Sequence, residues 1–88
     1  LNINGKKANL DYGLYTSPQL IEANNTNYIA ITDTQTSKVY LFDTNANLIE
    51  GFPVYGNSEV SIANMDNRGK LELCVKGEDN SVLLYQMN

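Results

Sequence analysis

Few side chains in this chain can do chemistry, and their spacing narrows the choice further. With no histidine among its 88 residues, the commonest general base near neutral pH is missing. Ser–His and Cys–His nucleophile pairs therefore cannot be built from it. Glu78 and Asp79 are adjacent carboxylates, the nearest approach to a general acid–base pair. They follow Lys76-Gly77, however, in what reads as a polar hairpin turn, where carboxylates stand in solvent. The six glycines stand singly among turns, so no glycine-rich phosphate loop is present. Six tyrosines, at positions 12, 15, 28, 40, 55 and 85, have rings suited to stacking on sugars or bases. Three of them, Tyr28, Tyr40 and Tyr85, fall in expected strands, and Tyr15 and Tyr55 occupy equivalent places in a repeat. That placement favours packing, with each hydroxyl bonded at a rim. No catalytic residue is expected, and the chain is read as not an enzyme.

The elements that would hold these residues come from a near-repeat at an offset of about 40 residues, the period of β-propeller blades and related arrays. Tyr15 to Asn24 lies over Tyr55 to Asn64, matching Leu20 with Val60 and Ala23 with Ala63. Further on, Ile29 to Ile31 lies over Leu73 to Val75, and Val39 to Phe42 over Val82 to Tyr85. Helical periodicity is absent. Short apolar runs parted by Asn, Gly, Asp, Thr and Ser recur throughout, the pattern of an all-β chain. Asn4-Gly5 predicts a tight hairpin between Leu1–Ile3 and Lys6–Tyr12. Strands are then expected near Gln19–Ala23, Tyr28–Thr32, Lys38–Phe42 and Leu48–Phe52 for one unit. Glu59–Ala63, Leu71–Lys76 and Val82–Gln86 follow for a second unit that lacks its fourth strand. The organisation expected is an N-terminal hairpin or completing strand over 1–14 and two repeats over 15–54 and 55–88.

Composition bounds the partners. Ten acidic residues against six basic ones give a net charge of −4, and the basic pairs Lys6-Lys7 and Arg68/Lys70 sit in turns. A phosphate backbone needs clustered Lys and Arg, so a nucleic-acid partner is not expected. No apolar run is long enough for a membrane-spanning helix, so membrane insertion is not expected either. The single Cys74 excludes an internal disulfide, and its place among Leu71, Leu73 and Val75 predicts a buried structural thiol. A chain of this length buries only about 60 to 65% of the surface it exposes when unfolded. Self-association or further blades of a parent protein are therefore the partners to expect, and the chain reads as a fragment.

The stretch Ile62-Ala63-Asn64-Met65-Asp66-Asn67-Arg68-Gly69-Lys70-Leu71-Glu72-Leu73 resembles the loop of FG-GAP (integrin-α-like) propeller repeats. In that family an Asp-x-Asn-x-Asp-Gly-x-x-Asp loop between two strands often holds calcium through hard oxygen ligands. The resemblance implies Asn64, Asp66 and Glu72 as metal ligands, with Gly69 at the sharp turn. Arg68 stands where the family has an acidic ligand, which sets a positive charge beside the cation and predicts a degenerate site. Calcium is the one metal in question, and no other cofactor is implied. Asp33-Thr34-Gln35-Thr36-Ser37-Lys38-Val39-Tyr40-Leu41-Phe42-Asp43 resembles the strand-turn-strand of PQQ-like blades, without their common Trp. Glu50-Gly51-Phe52-Pro53-Val54 is similar to the blade junction of extracytoplasmic bacterial repeat proteins of unknown function. Together these imply an all-β fold of two consecutive propeller-like four-stranded antiparallel blades. They would be part of a larger extracytoplasmic propeller, or of an oligomer completed by strand exchange. Three functions stay open: a non-catalytic structural or interaction module, a divalent-cation-stabilised adhesion-type module, and a propeller segment of an enzyme whose active site lies elsewhere.

Overall fold

Alternation of apolar and polar residues sorts the chain into three small antiparallel sheets, without a helix among the described residues. The computed structural model describes residues 1–3, 5–10, 13–23, 25–63 and 71–87, and the backbone alone of 64 and 65. β1 (Asn2–Ile3) and β2 (Lys6–Lys7) form a hairpin. Gly5 turns it at φ +80°, and the Gly5 N–H donates to Asn2 Oδ1 at 3.0 Å. β3 (Gln19–Ala23), β4 (Thr26–Asp33), β5 (Lys38–Asp43) and β6 (Val54–Tyr55) make the first main sheet, in sequence order. β7 (Ser61–Met65), β8 (Leu71–Lys76) and β9 (Val82–Met87) make the second.

The two main sheets face each other across the larger core. Ile21, Ala23, Ala30, Val39 and Leu41 from the first meet Val60, Leu71, Leu73 and Val75 from the second side. The residues between β6 and β7 cross from one sheet to the other, and Gly56 is pressed between Val39 of the first and Val75 of the second. A Cβ there would lie 2.8 Å from a methyl of Val39 and 2.8 Å from one of Val75. The other face of the first sheet is covered by the N-terminal segment, where Ile3 and Ala8 pack with Ile31 and Phe42. β4 is thus buried on both faces, and its Tyr28–Thr32 run reads as nearly continuous apolar sequence for that reason. β8 and β9 alternate instead, because only one of their faces is covered.

The strands Gln19–Ala23 and Leu71–Lys76 stand as expected from the sequence, and Tyr28–Thr32, Lys38–Phe42 and Val82–Gln86 are each slightly longer than expected. Four expectations are corrected. The fourth strand of the first unit is Val54–Tyr55, not Leu48–Phe52: Leu48 makes a single bridge to Phe42, and Gly51 at φ +91° then turns the chain away. The first strand of the second unit starts at Ser61 rather than Glu59. Val60 gives its backbone N–H and C=O to the Gln19 side chain instead of a strand partner, at 2.7 and 2.9 Å. The second hairpin strand ends at Lys7 rather than Tyr12, and the segment packs over the outer face of the first sheet. Cys74, finally, is half-buried and opposite Leu84 on the outer face of the second sheet. The period of two puts Leu71, Leu73 and Val75 inward and leaves Cys74 outward.

The two units also agree in register. Ile31 opposes Tyr40 and Ile29 opposes Phe42 in the first sheet; the matching Val75 and Leu73 oppose Leu83 and Tyr85 in the second. The turns between these strands carry equivalent left-handed residues, Ser37 at φ 58° and Asn80 at φ 64°. Only the first strand slips: Leu20 opposes Ile29, whereas Ile62, two places beyond the matching Val60, opposes Leu73. A slip of two residues preserves which face each side chain occupies.

Candidate functional site

The implied cation loop falls largely outside the described residues. Asp66, Arg68, Gly69 and the side chain of Asn64 are not among them. What is described is that the Asn64 backbone opposes half-buried Glu72 across β7–β8, beside a bulge between Ile62 and Asn64. Among the described residues, no group of three or more His, Cys, Asp or Glu could hold a metal ion.

The densest polar cluster lies at the ends of β4 and β5 and the crossover 56–60. Asp33, only 2% exposed, begins the turn after β4. Its Oδ1 accepts the N–H groups of Gln35, Leu14 and Thr36 at 2.9, 3.3 and 3.4 Å, and its Oδ2 accepts the Thr36 hydroxyl at 2.6 Å. The Thr36 hydroxyl and then these backbone donors hold the carboxyl below its ordinary range. With four donors on it and almost no exposed surface, this carboxylate is engaged in holding its own turn rather than presented to a substrate. Gly13 is required beside it, since a Cβ there would lie 2.5 Å from Oδ2.

From this turn the cluster reaches across to the second sheet. Thr32 donates its hydroxyl to the Ser58 carbonyl at 2.8 Å, and the Asn57 side-chain amide donates to Thr34 O at 2.9 Å and Ser37 Oγ at 2.8 Å. Buried Ser37 in turn donates to the Glu78 carboxylate. The Asn57 N–H donates to Lys76 O at 2.7 Å, and the Lys76 N–H to Ser58 Oγ at 2.9 Å. Ser37, Asn57 and Glu78 superficially resemble a nucleophile with its partners. Ser37 is closed to solvent, however, and its one proton is committed to Glu78, so the cluster ties the sheets together.

Glu78 and Asp79, the adjacent carboxylates, are directed to different partners. Glu78 takes the Ser37 hydroxyl, whereas Asp79 caps its own turn by accepting the Ser81 N–H at 3.1 Å. Hydrogen bonds from Ser81 hold Asp79 below its ordinary range, and those from Asn47 and Asn45 do the same for Asp43 after β5. All three aspartates are turn nuclei. The tyrosines follow the packing expectation: Tyr28 lies on the main core, and Tyr15, Tyr40 and Phe42 form a ring cluster over the outer face of the first sheet. Tyr85 donates its hydroxyl to Tyr55 O at 2.7 Å, and the Tyr55 hydroxyl accepts the Glu78 N–H at 3.0 Å. Tyr12 lies outside the described residues.

Sequence reasoning missed Gln19, whose amide replaces a strand partner for Val60 and joins the two sheets near β3 and β7, where their backbones come closest. A polar residue opening an otherwise alternating strand was the only signal. At the other side of the molecule a cleft of about 490 Å³ opens between residues 49–54 and the end of β9, floored by Phe52, Val54, Tyr85 and Met87. No family model, curated protein or solved structure matches the chain.

Proposed function

We propose that the chain is a non-catalytic structural or interaction module, built of two blade-like repeats of the propeller type that its sequence resembles. The observation that carries this reading is the common orientation of the two units. In each, the face holding Ile29, Ile31, Tyr40 and Phe42, or their matches Leu73, Val75, Leu83 and Tyr85, is turned toward the layer that precedes it in the chain. Units stacked in one sense are what an array requires, whereas a two-fold sandwich would turn like faces together. The wedge between the sheets, narrow at β3 and β7 with a cleft near β6 and β9, supports the same reading. So does the commitment of the described polar groups between the sheets to the fold rather than to an open site.

The experiment is a solution NMR structure. Contacts between the methyls of Val39 and Val75, and between Ile3 and Phe42, are expected. Packing of the Leu41 face onto the Leu84 face would overturn the reading. A calcium titration of thermal stability separates the cation-stabilised module from this one: the expected result is an unmoved midpoint at millimolar calcium, and a rise of several degrees would favour the cation.

A further inference from the structure

The stack has two different ends. At the first sheet the end is covered by Ile3 and Ala8. At the second sheet it is bare: Val82 is 63% and Leu84 55% exposed, with exposed Ser61 and Ala63 and half-buried Cys74 beside them. The register equivalence gives this bare face a meaning. Its Cys74, Val82 and Leu84 match Ala30, Val39 and Leu41, which lie at 0, 1 and 0% exposure under the second sheet. The bare face is therefore the counterpart of a face that this same molecule uses as an interface.

Resting on the stacked-repeat reading, we propose that the Cys74 face of the second sheet is a dimerisation surface whose occupant is the same face of a second copy of this chain. Two arguments select that occupant. Because Ile3 and Ala8 cover much of the opposite end, joining bare end to bare end buries both bare faces at once, in a closed two-fold contact. The charges are also self-complementary. Glu72 and Lys76 flank Cys74 on β8, two residues to either side on the same face. If the two-fold axis lies between the sheets and across β8 at Cys74, the two β8 strands run antiparallel. Glu72 of each copy then faces Lys76 of the other, Leu84 meets Leu84 beside Cys74 at the centre, and Val82 lies over Gln86 of the other copy. The parallel arrangement would set Glu72 against Glu72, which like-charge repulsion disfavours.

The test is sedimentation equilibrium of the intact chain from micromolar to millimolar concentration, with the alkylation rate of Cys74 followed over the same range. The expected mass rises from 9.8 kDa to twice that value and no further, while alkylation slows in step. Leu84→Glu should weaken dimerisation about tenfold to a hundredfold. Lys76→Glu, which sets like charges against each other, should weaken it about fivefold, and the double swap Glu72→Lys with Lys76→Glu should restore it. A mass that stays at the monomer value, growth beyond a dimer, or a dimer indifferent to Leu84→Glu would overturn the proposal. If the Val39–Val75 methyl contacts persist in that case, the repeat reading survives and the dimer alone fails; if they are absent, both fail.

Discussion

The two main sheets share one hairpin register and one facing, yet the first is covered on both sides and the second on one. The contrast is sharpest at matched positions: Val39 and Leu41 are buried, whereas Val82 and Leu84 are more than half exposed. A repeat in sequence therefore carries over the parity of each side chain, meaning which face it occupies. Burial does not carry over, because it depends on what lies against that face. The chain reflects this asymmetry in composition. Where the first sheet has Ile21, the second has Ser61, a residue at home in a wet setting.

The most direct way to break the comparison is to truncate the same residue type in both sheets. Leu41→Ala empties a fully buried site and should cost about 2 to 5 kcal/mol in urea denaturation. Leu84→Ala, measured at a concentration where the chain is monomeric, should stay within about 0.5 kcal/mol. Equal losses would mean that both faces are covered. Gly56→Ala probes the contact between the sheets. Its methyl would collide with both Val39 and Val75, and a cost of about 1 to 3 kcal/mol is expected, read from the same denaturation curves.

Gln19→Leu keeps the side-chain volume but removes both hydrogen bonds to Val60, and should cost about 1 to 3 kcal/mol. Amide hydrogen exchange of Val60 gives the finer readout, since it should accelerate in this variant while Val39 on the far side of the first sheet stays protected. The smallest effect expected is that of pH. Asp33 is held below its ordinary value of 3.8, chiefly by the Thr36 hydroxyl, so the folded state binds its proton less readily than the unfolded chain. Its contribution is complete above pH 3.8 and disappears as pH falls through the lower folded value. Asp43 and Asp79 act in the same direction. Urea midpoints should therefore decline on acidification below that point, and Asp33→Asn should flatten part of the decline. A variant with an unchanged slope would show that Asp33 does not carry it.

Much of the architecture was legible from local signals. Period-two alternation placed Gln19–Ala23 and Leu71–Lys76, and Asn4-Gly5 announced a hairpin whose strands the structure has as β1 and β2. The Leu48–Phe52 run was misread because its apolar residues match a strand while Gly51 adopts a conformation that ends one. Glu59 and Val60 were misread for a different reason: strand pairing at Val60 was taken over by a side chain 41 residues away, which no local pattern encodes. The candidate cation ligands Asn64 and Asp66 came from resemblance alone, and only the Glu72 side chain of that set lies within the described residues.

By itself, then, the sequence determined the all-β class, the repeat and the parity of nearly every strand residue, because the pleat has a period of two and the turns are encoded by neighbouring residues. Only the tertiary structure decided which faces are covered, that the N-terminal segment caps the first sheet, that the Cys74 face is left uncovered and that Gln19 stands in for a strand. These depend on which layer lies against which, and that is set by contacts between residues far apart in the chain, with an energy that belongs to the pair of surfaces rather than to either segment.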